Sequence, residues 1–102
     1  MNGEVLWNSI ISKLSSSGDE LQTKTGLWFK VQFKRDKLYV EGATNHTPSS
    51  KLSMKRSISK KDFLFVCLYY NRWVDNEIGI RNEVTRKSRN TAYIFALIEK
   101  FK

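Results

Sequence analysis

Apolar residues recur at spacings of three and four near the start of the chain: Leu6, Trp7, Ile10, Ile11 and Leu14. That spacing puts them on one side of a helix and predicts one over residues 4–16. Asn2 is its candidate cap, and Glu4 sits well near the positive end of the helix dipole. Ser15-Ser16-Ser17-Gly18 is expected to stop it, with Gly18 taking the left-handed backbone that ends many helices.

The period then changes to two. Leu21, Thr23 and Thr25 alternate with polar neighbours, and Gly26 breaks the run. Leu27, Phe29, Val31 and Phe33 next alternate with Trp28, Lys30, Gln32 and Lys34. A turn over 34–37 leads into Leu38-Tyr39-Val40-Glu41. Pairing Phe33 with Leu38 sets Val31 opposite Val40 on one face, and Lys30 opposite Glu41 and Gln32 opposite Tyr39 on the other. A polar loop over 42–50 holds Pro48 and His46, and a fourth strand is expected over 52–58. There Arg56 shares a face with Leu52, Met54 and Ile58, which puts it near the edge of the sheet.

Ser59-Lys60-Lys61-Asp62 reads as a helix start, with Asp62 in the acidic position of a capping box. The helix that follows, over 63–73, is apolar almost all round, so it packs on two sides or meets a partner. Residues 75–87 are expected to be irregular or partly extended. A last helix begins near Ser88 or Asn90, with Tyr93, Ile94, Leu97, Ile98 and Phe101 as its buried stripe. The order α, three or four antiparallel strands, α, α predicts one α+β domain over 1–102, with the helices on one face of a meander.

Charge adds a skew. The 102 residues carry 18 Lys and Arg against 10 Asp and Glu, a net +8. The first half holds six basic and five acidic residues; the second holds twelve and five. Lys51, Lys55, Arg56, Lys60 and Lys61 fall in a stretch without an acid. Arg81, Arg86, Lys87 and Arg89 form a second basic group opposed by Glu83, and Asn90 and Thr91 add donors beside it. Helix starts suit phosphate, because they present unpaired N–H groups and a positive dipole end. These residues are the candidate nucleic-acid contacts, with DNA or RNA as the partner; the bland alternative is a solvated surface that keeps the chain soluble. Trp28 and Lys30 with Tyr39 form a second candidate, a stacking face for single strands, unless the N-terminal segment or another subunit covers it. Phe65, Leu68 and Tyr69, on the outward side of the middle helix, are a candidate homodimer interface unless that helix is sandwiched inside the fold.

Catalytic signals are sparse. His46 stands alone in its loop, and Cys67 lies in the most apolar run, where a thiolate is disfavoured. Asp75, Glu77 and Glu83 form a thin metal-nuclease pattern. Glycine-rich phosphate loops and nucleophile turns are missing, so no cofactor, metal or small-molecule substrate is inferred and the reading leans away from an enzyme. One cysteine fits a reducing, cytoplasmic setting. No apolar run is long enough for a membrane span, and the Met1-Asn2-Gly3-Glu4 start has no basic leader.

Three segments of the second half carry a resemblance: Ser57-Ile58-Ser59-Lys60-Lys61-Asp62-Phe63, Tyr69-Tyr70-Asn71-Arg72-Trp73, and Ser88-Arg89-Asn90-Thr91-Ala92-Tyr93-Ile94-Phe95-Ala96-Leu97. They resemble small uncharacterised bacterial proteins carried on mobile elements such as integron gene cassettes, and similar segments accompany some restriction-type proteins. The resemblance implies a bacterial, cytoplasmic protein linked to DNA transactions, and it transfers no functional residue.

Overall fold

Asn2 does cap the first helix: its Oδ1 accepts from the Val5 backbone N–H at 3.2 Å. The computed structural model describes residues 2–52, 54–74 and 78–102, with Arg81 in its backbone alone. Helix α1 covers Gly3–Leu14 and buries Leu6, Trp7, Ile10 and Leu14. Gly18 plays another part than that of a left-handed terminator. A Cβ built on it would lie 2.9 Å from the Val31 carbonyl oxygen, so a side chain there would push the chain off the sheet.

Four antiparallel strands follow in the order β1-β2-β3-β4. They are β1 (Asp19–Gln22), β2 (Trp28–Lys34), β3 (Lys37–Gly42) and β4 (Arg56–Ile58). The β2–β3 hairpin has the register that its alternation predicts, with Val31 opposite Val40 and Phe33 opposite Leu38. Leu21, Phe29, Val31, Leu38, Val40 and Ile58 are all buried. Two strands are shorter than the sequence suggests. Thr23 and Thr25 leave β1 for a turn in which the Gly26 N–H donates to the Thr23 carbonyl and Gly26 takes φ 94°. Leu52 and Met54 lie outside β4, and Met54 is 78% exposed.

Helix α2 (Lys60–Val74) starts as expected, with Ser59 Oγ accepting from the Asp62 N–H at 3.1 Å. Phe63, Val66, Cys67 and Tyr70 are buried, and α2 packs against α1 and two later helices. The first of these, α3 (Ile80–Lys87), corrects the expectation of irregular chain over 75–87 for residues 80–87; residues 75–77 of that stretch lie outside the described residues. Its eight residues are mostly polar, but Ile80 and Val84, one turn apart, are both buried. Gly79 starts it with φ 81°. Helix α4 (Thr91–Phe101) buries Tyr93, Ile94, Leu97 and Ile98 in the same core as the sheet and α1. The domain is therefore α+β, with an N-terminal helix, a four-stranded antiparallel sheet and C-terminal helices. Burial of such side chains contributes about 1.5–3 kcal/mol each, which holds the layers together.

Candidate functional site

Strand β4 lies at one edge of the sheet, and the turn before α4 is fastened to it. Arg56 Nη1 donates to the Arg89 carbonyl oxygen at 3.0 Å. Asn90 Nδ2 donates both to the Ser57 carbonyl at 3.1 Å and to Asp62 Oδ2 at 3.0 Å. Ser88 and Thr91 are buried under this turn, where Thr91 Oγ1 donates to the Ser88 carbonyl at 2.9 Å. Asn90 stands at the N-cap of α4, where an Asn ordinarily accepts from the first turn. Here it makes no such bond. Its amide hydrogens instead go to Ser57 of β4 and Asp62 of α2.

These fastenings bring together a cleft of about 490 Å³ lined by Lys51, Leu52, Met54, Lys55, Arg56, Ser57, Arg89 and Asn90. Four cations from two distant segments thus meet on one concavity, and among the described residues no acid lines it. Glu41 approaches from outside, 3.7 Å from Lys55 Nζ, in a pair exposed enough for solvent to screen it. The Arg56 guanidinium also lies 5.7 Å from the centre of the Tyr93 ring. Within Asn90, which is only 8% exposed, Oδ1 is buried and has no hydrogen-bond partner.

The remaining basic candidates lie elsewhere. Lys60 pairs with Glu4 at 2.9 Å. Lys87 Nζ donates to Tyr69 Oη at 3.2 Å. Lys61 and Arg86 are exposed and do not line the cleft. The side chain of Arg81 lies outside the described residues, as do Asp75 and Glu77 of the nuclease pattern. Among the described residues no group of three or more His, Cys, Asp or Glu is placed to hold a metal. Burial pushes the Cys67 thiol up to about 11, so it stays protonated near neutrality. No described helix is long and apolar enough to cross a membrane.

The expected stacking face is altered by a residue that stands alone in its loop in the sequence. His46 lies flat on Trp28, with ring centres 3.9 Å apart and planes 13° from parallel. One face of the indole is therefore already taken, by the 42–50 loop rather than by the N-terminal segment. His46 Nδ1 also meets Glu20 Oε1 at 2.9 Å. The same carboxylate accepts from the backbone N–H groups of Thr44 and Asn45 and from the Thr44 hydroxyl. Burial opposes ionisation of Glu20, whose side chain is 6% exposed, but the bonds from His46, Thr44 and Asn45 outweigh it and hold the carboxyl at about 2. Lys30 lies near this cluster, in a shallow cleft that also contains Asp19 and Glu20, so its charge is opposed. Tyr39 is half-buried opposite Gln32 and Ser57.

On α2, Leu68 is 71% exposed, while Phe65 and Tyr69 are half-buried and tilted together with ring centres 5.2 Å apart. Lys87 of α3 closes over the Tyr69 end of this patch. Compared with protein-family models, curated proteins and solved structures, the chain matches none of them.

Proposed function

We propose that this chain is a non-catalytic module that contacts nucleic acid through the cleft between β4 and the start of α4. The observation that supports it is the meeting of Lys51, Lys55, Arg56 and Arg89 on one concavity with no described acid in its wall. Such a site works by displacing counterions from phosphates, and affinity falls steeply with salt. Lys51 and Arg89 supply the main phosphate contacts. Arg56 has one nitrogen committed to the Arg89 carbonyl, so it positions Arg89 while adding its charge. A reducing cytoplasm is the compartment that suits a chain with one cysteine.

Fluorescence anisotropy of labelled single-stranded and duplex oligonucleotides at two salt concentrations tests this reading. Binding at low salt is expected to weaken sharply on Lys51→Ala with Arg89→Ala. The control pair Lys61→Ala with Arg86→Ala removes the same charge away from the cleft and is expected to do much less. Absence of binding at low salt, or equal losses for the two pairs, overturns the proposal.

A second reading rests on the exposed Leu68 beside Phe65 and Tyr69, which makes the outward side of α2 a contact surface for a second copy. Light scattering across micromolar concentrations tests it; a strict monomer removes it.

A further inference from the structure

The wall of the cleft is not made of charge alone. Along the chain its cations alternate with apolar side chains, Lys51 beside Leu52 and Met54 beside Lys55. Leu52 is partly buried and packs against the core, which fixes it in place. Met54 belongs to no strand or helix and is 78% exposed. Apolar residues exposed singly on a surface are common and need no account. Here, however, an exposed thioether and a core-anchored leucine line the same concavity as four cations. Phosphates gain nothing from either, because an apolar side chain offers an anion no hydrogen bond.

Building on the nucleic-acid reading above, we infer that the cleft takes an unpaired nucleotide of a single strand, its base against Leu52 and Met54 and its flanking phosphates on the surrounding cations. The flat faces of the bases are the broadest apolar surfaces of a nucleic acid. In a duplex they are stacked on one another, and the outside presents phosphates, sugars and base edges. In a single strand they are free to turn onto a protein surface, while the backbone on either side keeps its charges for Lys and Arg. A cleft of about 490 Å³ is in the size range of pockets for small organic molecules, so it has room for one base with its sugar. The Met54 side chain is unbranched and polarizable, so it adapts to rings of different shape and makes the contact tolerant of sequence. Because the wall is aliphatic rather than aromatic, the contact is worth about fivefold in affinity, the low end of what stacking one base supplies.

The test separates base from backbone with ligands of equal charge: oligothymidine, the same strand with abasic tetrahydrofuran units in place of its nucleosides, and a blunt duplex. Anisotropy at low salt is expected to show oligothymidine bound about fivefold more tightly than the other two. Met54→Gln keeps the side-chain length and the charge of the wall, and at so exposed a position it leaves the fold intact. It is expected to remove most of that advantage, weakening oligothymidine alone while the abasic strand and the duplex bind as before. Such coupling between the side-chain change and the ligand change identifies the contact. Equal affinity for oligothymidine and the abasic strand, or a preference that Met54→Gln leaves whole, overturns the base contact. If Lys51→Ala with Arg89→Ala still weakens binding in that case, the phosphate-binding cleft stands. A duplex bound as tightly as oligothymidine overturns the choice of an unpaired nucleotide in the same way. Failure of every ligand to bind at low salt overturns both readings.

Discussion

Arg56 and Arg89, 33 positions apart, are joined by a hydrogen bond from the Arg56 guanidinium to the Arg89 carbonyl oxygen at 3.0 Å. The Arg56 side chain is thus tied to the backbone of the turn that carries Arg89. Arg56→Ala is expected to cost about 1 kcal/mol of stability and to weaken oligonucleotide binding by more than one lost charge, because the turn carrying Arg89 loses an anchor. Arg56→Lys keeps the charge but not the planar fork, so it is expected to keep the salt dependence and still lose stability. Urea unfolding and anisotropy together check both.

The salt dependence itself is a second measurable quantity. Each phosphate contact on a single strand contributes about 0.7 to the slope of log affinity against log salt. Removing Lys51 and Arg89 together is expected to lower that slope by about 1.4. An unchanged slope in the double variant would mean that neither side chain sits on a phosphate.

Glu20 gives a pH prediction. Its folded carboxyl is held at about 2 against an ordinary 4.5, so between those values the unfolded chain takes up a proton that the folded chain refuses. Its contribution is therefore fully present above the ordinary value and fades as the pH falls towards the folded one. Glu20→Gln is expected to lower the urea midpoint near pH 6 and to differ less from the parent at about pH 3. Glu99, also lowered, mainly by the bond from the Tyr70 hydroxyl, is present in both chains and cancels from the comparison. A gap of the same size at both pH values would contradict the role given to Glu20.

Gly79 tests the start of α3. It has φ 81°, and a Cβ there would meet nothing within 4 Å. The cost of Gly79→Ala is therefore backbone strain alone, about 1 kcal/mol, and Gly79→Asn is expected to cost less because Asn tolerates this region better. Thermal unfolding of the two variants ranks them.

The hairpin was legible in sequence because an eight-residue and a four-residue alternation flank a short turn, and a one-residue slip would have turned every apolar side chain outward. Helix α3 was not legible: Ile80 and Val84 are only two apolar positions in eight residues, too few to establish a period, and their burial comes from packing against α2. The two basic groups could be read as groups, but their meeting depends on the bonds from Arg56 and Asn90, which link positions more than thirty residues apart. His46 was misleading for the same reason, since Glu20 and Trp28 lie far from it along the chain. Nothing local marks Asn90 Oδ1 as unpaired; that follows from where Ser57 and Asp62 take the amide hydrogens.

The Asn90 amide on Ser57 also bears on how copies of the chain behave in crowded solution. Open sheets polymerise when a neighbour adds its backbone to a free outer strand. Here one outer strand is four residues long and begins with Asp19-Glu20, and the other is three residues long with its Ser57 carbonyl already occupied. Loss of the Asn90 side chain would reopen that carbonyl, so the residue that lines the basic cleft also keeps an acceptor of the outer strand from a neighbouring copy.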